Sequence, residues 1–119
     1  MFPGRATLFM STITNETTSK ILKFLFEHQI FAWRNNITGI PLSGGGFRPA
    51  AKTGVSDIIA LVPPQARFCA IEVKTGRDRL RPEQEGFLKN VERMGGITLV
   101  VKDFEDFFEQ WTSLGPGFL

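Results

Sequence analysis

Apolar positions recur at helical spacing in three stretches of the chain and run nearly unbroken in three shorter ones. Ile21, Leu22, Leu25 and Phe26 read as the buried stripe of a first helix, with Lys20, Lys23 and Glu27 as polar neighbours. The pattern predicts a helix from an Asn15 cap to about Gln29, with Glu16 in its first turn. Residues 1–12 read as an irregular arm. Residues 30–37 are aromatic and partly alternating, which suggests a strand. Residues 39–54 hold five of the twelve glycines together with Pro41 and Pro49, as a long loop or loose hairpin would. Residues 55–62 and 67–74 read as buried strands separated by the breaker Pro63-Pro64-Gln65-Ala66. Pro82 opens a second helix carrying Phe87, Leu88, Val91 and Met94, and Gly95-Gly96 stops it. Residues 97–101 form a short strand. Asp103 caps a last helix with Phe104, Phe107, Phe108 and Trp111 on one stripe, and 113–119 form a tail.

The predicted order is therefore α-β-β-β-α-β-α, an α/β fold with a mixed central β-sheet flanked by helices. The β-α-β run over 67–101 favours a parallel pair. At 119 residues the chain reads as one domain, with no repeat and no low-complexity tract. Its apolar runs are too short for a membrane span, and no signal peptide precedes the first helix. A soluble intracellular, cytoplasmic protein is expected.

Composition narrows the chemistry more than it defines it. One cysteine, Cys69, excludes an internal disulfide and a cysteine-rich zinc site. One histidine, His28, excludes a two-His metal site and argues against Ser-His-Asp or Cys-His catalysis. Cys69 reads as an inert core thiol, His28 as a partly buried helix residue and Trp33 as a core tryptophan. A net charge of +2 is too small to identify a nucleic-acid partner, so the placement of the charges must decide.

Three charges interrupt apolar strands: Asp57, Glu72 and Lys74. A buried charge costs several kcal/mol unless it is paired or metal-bound. If residues 63–66 close a hairpin, Val62 faces Arg67, and the same register sets Asp57 opposite Glu72. Directly opposed Cβ atoms lie roughly 4.5–5.5 Å apart. Lys74, two residues past Glu72, shares its face. Two carboxylates so placed repel each other, and a hard divalent cation such as Mg²⁺ offsets that. The lysine would orient or help deprotonate a water, or stabilise charge on a phosphate. The set fits phosphodiester hydrolysis. A structural ion pair at a strand end is the plain alternative, and a register shift of one residue would separate the carboxylates.

The sequence resembles the VRR-NUC nucleases, a branch of the PD-(D/E)XK superfamily that includes Holliday junction resolvases. The segments that carry the resemblance begin with Glu16-Thr-Thr-Ser-Lys-Ile-Leu-Lys-Phe-Leu25, Trp33-Arg-Asn-Asn36 and Gly54-Val-Ser-Asp-Ile-Ile-Ala60. Ala70-Ile-Glu-Val-Lys74 and Leu80-Arg-Pro-Glu-Gln84 complete them. Ser56 departs from the family's Pro before the Asp. The resemblance implies a restriction-endonuclease-like fold, with Asp57 and Glu72 as ligands of Mg²⁺ or Mn²⁺ and the Val73 carbonyl nearby. Lys74 would be the catalytic lysine, and Glu16 would add a carboxylate directly or through water. Gln84 faces the sheet from the second helix, where the Lys74 side chain or a phosphate would partner its amide. The resemblance further implies a DNA endonuclease that prefers branched or structured DNA, of a kind found in phages and prophages.

Arg34, Arg48 and Lys52 flank the glycine-rich loop, and Arg77, Arg79 and Arg81 follow Lys74. These are candidate phosphate contacts; a solvated basic loop is the alternative. A small domain cutting two strands of a junction suggests a homodimer, with the C-terminal aromatic stripe as candidate interface. A non-catalytic nucleic-acid-binding or assembly domain on the same fold is the competing functional reading.

Overall fold

We describe a computed structural model of the chain, which defines residues 5–35, 40–41, 43–45, 47–48 and 54–115. The elements are α1 (Arg5–Glu27), β1 (Phe31–Arg34), β2 (Ile40–Pro41) and β3 (Phe47–Arg48). After them come β4 (Ile58–Val62), β5 (Arg67–Val73), α2 (Pro82–Arg93), β6 (Ile97–Val101) and α3 (Phe104–Thr112).

Four strands form a mixed sheet in the order β1-β4-β5-β6. β1 and β5 each run antiparallel to β4, while β5 and β6 are parallel on either side of α2. β2 and β3 pair as a separate antiparallel ribbon within the glycine-rich segment, the second of the two forms expected there. Among the described residues, no helix is long and apolar enough to cross a membrane.

Strand alternation decides which helix covers which face. Ile58, Ala60 and Val62 of β4 and Cys69, Ile71 and Val73 of β5 point toward α1 and α3. Ile21 and Leu25 meet them from α1, and Phe107 and Trp111 from α3, all four fully buried. Ile59 and Ala70 point the other way and pack on Leu88 of α2. Burying a large apolar side chain contributes roughly 1.5–3 kcal/mol, so the α1–α3 face, which holds most of these groups, supplies most of the cohesion. Phe24 of α1 closes that face, its ring lying 5.5 Å from Phe107 and 6.4 Å from Trp111.

The structure corrects two of the sequence-based boundaries. α1 begins at Arg5, so most of the expected arm is helical. No Gly or Pro stands between Arg5 and Glu27 to interrupt it. Asn15 therefore sits inside the helix and does not cap it; its Oδ1 instead accepts from Arg34 Nη2. β4 begins at Ile58, three residues after the apolar run starts, which leaves Asp57 just outside the ladder. Asp103 does cap α3, its carboxylate accepting from the Asp106 N–H at 2.7 Å.

Candidate active site

The ladder between β4 and β5 runs from Val62 opposite Arg67 to Ile58 opposite Ile71. One step further, Asp57 lies across from Glu72, on the face that α2 covers. Asp57 is held there by both neighbouring strands. Its Oδ2 accepts the Val73 N–H at 2.8 Å, and its main-chain carbonyl accepts the Asn35 N–H at 2.7 Å. The approach to Asp57 depends on Gly54, whose φ is +84°. A Cβ at Gly54 would stand 2.3 Å from the Glu83 carbonyl oxygen, so only glycine lets this loop pack against the first turn of α2.

Glu72 is 1 % exposed and is gripped on one side only. Gln84 Nε2 donates to its Oε1 at 3.3 Å. Gln84 Oε1 accepts the Arg81 N–H at 2.9 Å, capping α2 and thereby turning the amide nitrogen toward Glu72. This differs from the expected partner of Gln84, the Lys74 side chain or a phosphate: the buried amide bridges a helix N-terminus and a carboxylate. The other oxygen, Glu72 Oε2, and the Oγ of fully buried Ser56 are both buried and make no well-formed hydrogen bond, although the hydroxyl lies near enough to act on the carboxylate. Lys74 Nζ stands 3.9 Å from Glu72 Oε1 and 3.9 Å from Asp78 Oδ2, loose ion pairs that leave its other donors available.

Burial, followed by the Asp57 carboxylate beside it, pushes the Glu72 pKa up to about 8; Lys74 and Ser56 pull it back only partly. Burial thus penalises the charged glutamate, and the facing Asp57 carboxylate adds to that penalty. The donors suit a hard divalent ion: two carboxylates, one with an orphaned buried oxygen, and no sulfur or imidazole. Among the described residues, no three Asp, Glu, His or Cys side chains are grouped closely enough to hold a metal. A cation at Asp57 and Glu72 would complete its shell with backbone oxygen, such as the Val73 carbonyl, and with water and substrate. That is the habit of Mg²⁺, which keeps several waters.

Asp57, Glu72, Lys74 and Gln84 come together at one end of the sheet. Glu16 does not join them in a cluster: its side chain is exposed on α1. α1 does pass the site, since Thr14 Oγ1 lies 2.5 Å from Thr75 Oγ1 just beyond Lys74. Arg77, Arg79 and Arg81 are exposed along the connection from β5 to α2, with Arg81 paired to Glu83 at 3.5 Å. Arg34 is exposed and engaged by Asn15. Arg48 belongs to β3, but its side chain lies outside the described residues, as does Lys52.

Three expectations for single residues are overturned. Phe26, expected in the buried stripe of the first helix, is 81 % exposed. Trp33 is 41 % exposed, because α2 covers β5 and β6 and leaves the same face of edge strand β1 open. His28 is exposed in the turn after α1, stacked on Phe24 with ring centroids 4.1 Å apart. Cys69 is a core thiol as expected, its pKa pushed up to about 12 by burial. Sequence reasoning missed Asp78 as the second partner of Lys74. The four-residue separation was visible, but the loop conformation that brings the two together was not.

No curated protein and no solved structure gives a significant match to the chain. The VRR-NUC domain profile, however, matches residues 8–102, a span that runs from α1 through β6 and includes every element of the site. With most of its length matched and its acidic pair and lysine gathered at one sheet end, the chain belongs to the VRR-NUC family and is a nuclease-type domain.

Proposed function

We propose that the chain is a metal-dependent DNA endonuclease that hydrolyses phosphodiester bonds, selects branched DNA such as junctions or flaps, and works as a homodimer. The observation that carries this reading is the Asp57–Glu72 pair, a half-buried aspartate set against a buried glutamate that keeps one carboxylate oxygen unpartnered, with a lysine 3.9 Å away. Two carboxylates so placed, one of them buried, are well suited to a bound cation.

Asp57 and Glu72 would hold Mg²⁺ or Mn²⁺, with the Val73 carbonyl beside them and Glu16 contributing through water. Bound there, the ion would supply Lewis-acid charge at the phosphate and lower the pKa of an attacking water. Lys74 adds a positive donor at the half-buried edge, where it orients the water or stabilises charge on the phosphate. Gln84 keeps Glu72 Oε1 in place and leaves Oε2 free for a ligand. The exposed Arg77, Arg79 and Arg81 extend positive charge from the site along the approach to α2, and Arg34, Arg48 and Lys52 are further candidate contacts to phosphates.

The test is cleavage of supercoiled plasmid, and then of junctions, flaps, splayed arms and plain duplex, in Mg²⁺ or Mn²⁺ with a chelator control. Chelator-sensitive cleavage with branched substrates preferred is expected, and a folded Glu72→Ala protein should lose nearly all of it. Wild-type cleavage by that variant would end the nuclease reading. The non-catalytic alternative draws on the absence of a third acid beside the pair among the described residues. It predicts metal-independent DNA binding with no cut product.

A further inference from the structure

Asn35 follows the last residue of β1, and the ladder that pairs Arg34 with Ile58 brings it opposite Asp57. Its main-chain N–H is used: it donates to the Asp57 carbonyl at 2.7 Å. Its side-chain Nδ2 is not. That nitrogen is buried and has no hydrogen-bond partner. Opposed residues in an antiparallel ladder point to the same side. Asn35, Asp57 and Glu72 therefore form one row across the ends of three strands, on the side that Ile59, Ala70 and α2 define.

A buried amide donor left unpaired destabilises the fold. The row explains why such a donor would be kept there. An amide N–H cannot ligate a cation, so Nδ2 does not extend the metal's shell. Asp57 spends Oδ2 on the Val73 N–H, and the Asn35 amide makes no bond to that carboxylate. No described residue supplies the acceptor that Nδ2 lacks, and the nitrogen sits beside a site that gathers two carboxylates and a lysine.

We propose that Asn35 Nδ2 is a substrate-binding donor, taking a non-bridging oxygen of the phosphodiester held at Asp57 and Glu72. The proposal rests on the reading of this site as a nuclease centre. Lys74 then approaches the phosphate from the β5 side of the row and Asn35 from the β1 side. The phosphate sits between two donors, and the carboxylates lie beneath it.

Asn35→Ala tests this with three readouts. Removing a donor that has no partner in the free protein should leave the melting temperature unchanged or slightly raised. Mg²⁺ affinity by calorimetry should stay within about twofold of wild type. The cleavage rate should fall about 10- to 100-fold, the size expected for one hydrogen bond to a charged oxygen. A separate arm does not depend on turnover. In Ca²⁺, used to allow binding without cleavage, the Asn35 side-chain amide signals, assigned by their loss in Asn35→Asp, should shift when a junction oligonucleotide is added. Unchanged cleavage in Asn35→Ala would overturn the proposal and leave the nuclease reading intact. Joint loss of Mg²⁺ affinity and cleavage would also overturn it, since the amide would then be orienting Asp57. If the wild type binds DNA without cutting it, the nuclease reading fails. The amide signals then still decide whether Asn35 meets the phosphate, and signals that do not move reject the assignment.

Discussion

Glu72 carries the largest electrostatic strain in the site, and its consequence can be measured without any substrate. An unfolded glutamate ionises near 4.5, whereas the buried one does so at about 8. Between those values the folded chain holds a proton that the unfolded chain has released, so raising the pH through this window favours unfolding. The metal-free protein should therefore lose stability from about pH 4.5 to about pH 8 and regain it when Mg²⁺ binds the ionised form. Glu72→Gln removes the charging step. Its melting temperature in chelator should exceed that of wild type by several degrees near pH 8 and approach it near pH 5. A difference that does not vary with pH would mean that another group titrates. Lys74 should behave differently. Lys74→Ala should cut the cleavage rate strongly and leave Mg²⁺ affinity equal or slightly higher, because a nearby cation opposes the metal; abolished Mg²⁺ binding in calorimetry would assign Lys74 a structural role. At this scale the pairing of Asp57 with Glu72 was legible, because a four-residue breaker set the hairpin register and a charge in an apolar run is conspicuous. The bridge from Gln84 to Glu72 was not, since it depends on how α2 seats on the sheet.

The elements that hold these residues meet where the loop before β4 touches the first turn of α2. Gly54 makes that contact possible, and no local pattern announces it: the glycine lies in a segment already rich in glycine and reads as generic loop. A methyl group there would collide with the Glu83 backbone, which belongs to a helix turn and cannot rotate aside. The positive φ adds strain for any side chain. Gly54→Ala should cost on the order of 2 kcal/mol or more, with cleavage falling further than the stability loss alone explains, as Asp57 and Gln84 lose their alignment. Gly86→Ala is the control, because a Cβ there meets nothing within 4 Å. Equal activity of the two folded variants would show that the Gly54 contact does not position the site. The start of α1 was misread for a related reason. A good capping residue at Asn15 is a local signal, but an unbroken run from Arg5 lets the helix continue through it.

At the scale of the whole molecule, the structure moves the candidate dimer surface. The C-terminal stripe was the sequence-based choice, yet Phe107 and Trp111 are fully buried and Phe24 of α1 packs against all four of its rings. Of the stripe, only Phe108 stays exposed, at 45 %. The hydrophobic periodicity of α3 was read correctly; its partner was not, because a stripe alone does not say which helix will cover it. Exposed apolar side chains remain instead at Phe26 of α1, 81 % exposed, and on the α2 side of the sheet. Phe31 and Trp33 lie side by side on edge strand β1 with centroids 5.4 Å apart, and Phe68 and Met94 border an apolar groove of about 420 Å³ at the far end of α2 from Gln84. Contiguous exposed apolar surface of this kind marks interfaces, and an edge strand offers unpaired backbone for a two-fold partner. The proposed homodimer should therefore close through β1. Light scattering over a dilution series should report about twice 13.3 kDa for wild type and for Phe108→Glu, and one chain mass for Phe31→Glu. Dissociation by Phe108→Glu alone would return the interface to α3. A wild-type mass near one chain at micromolar concentration, unchanged by added junction DNA, would leave a monomer that nicks one strand at a time.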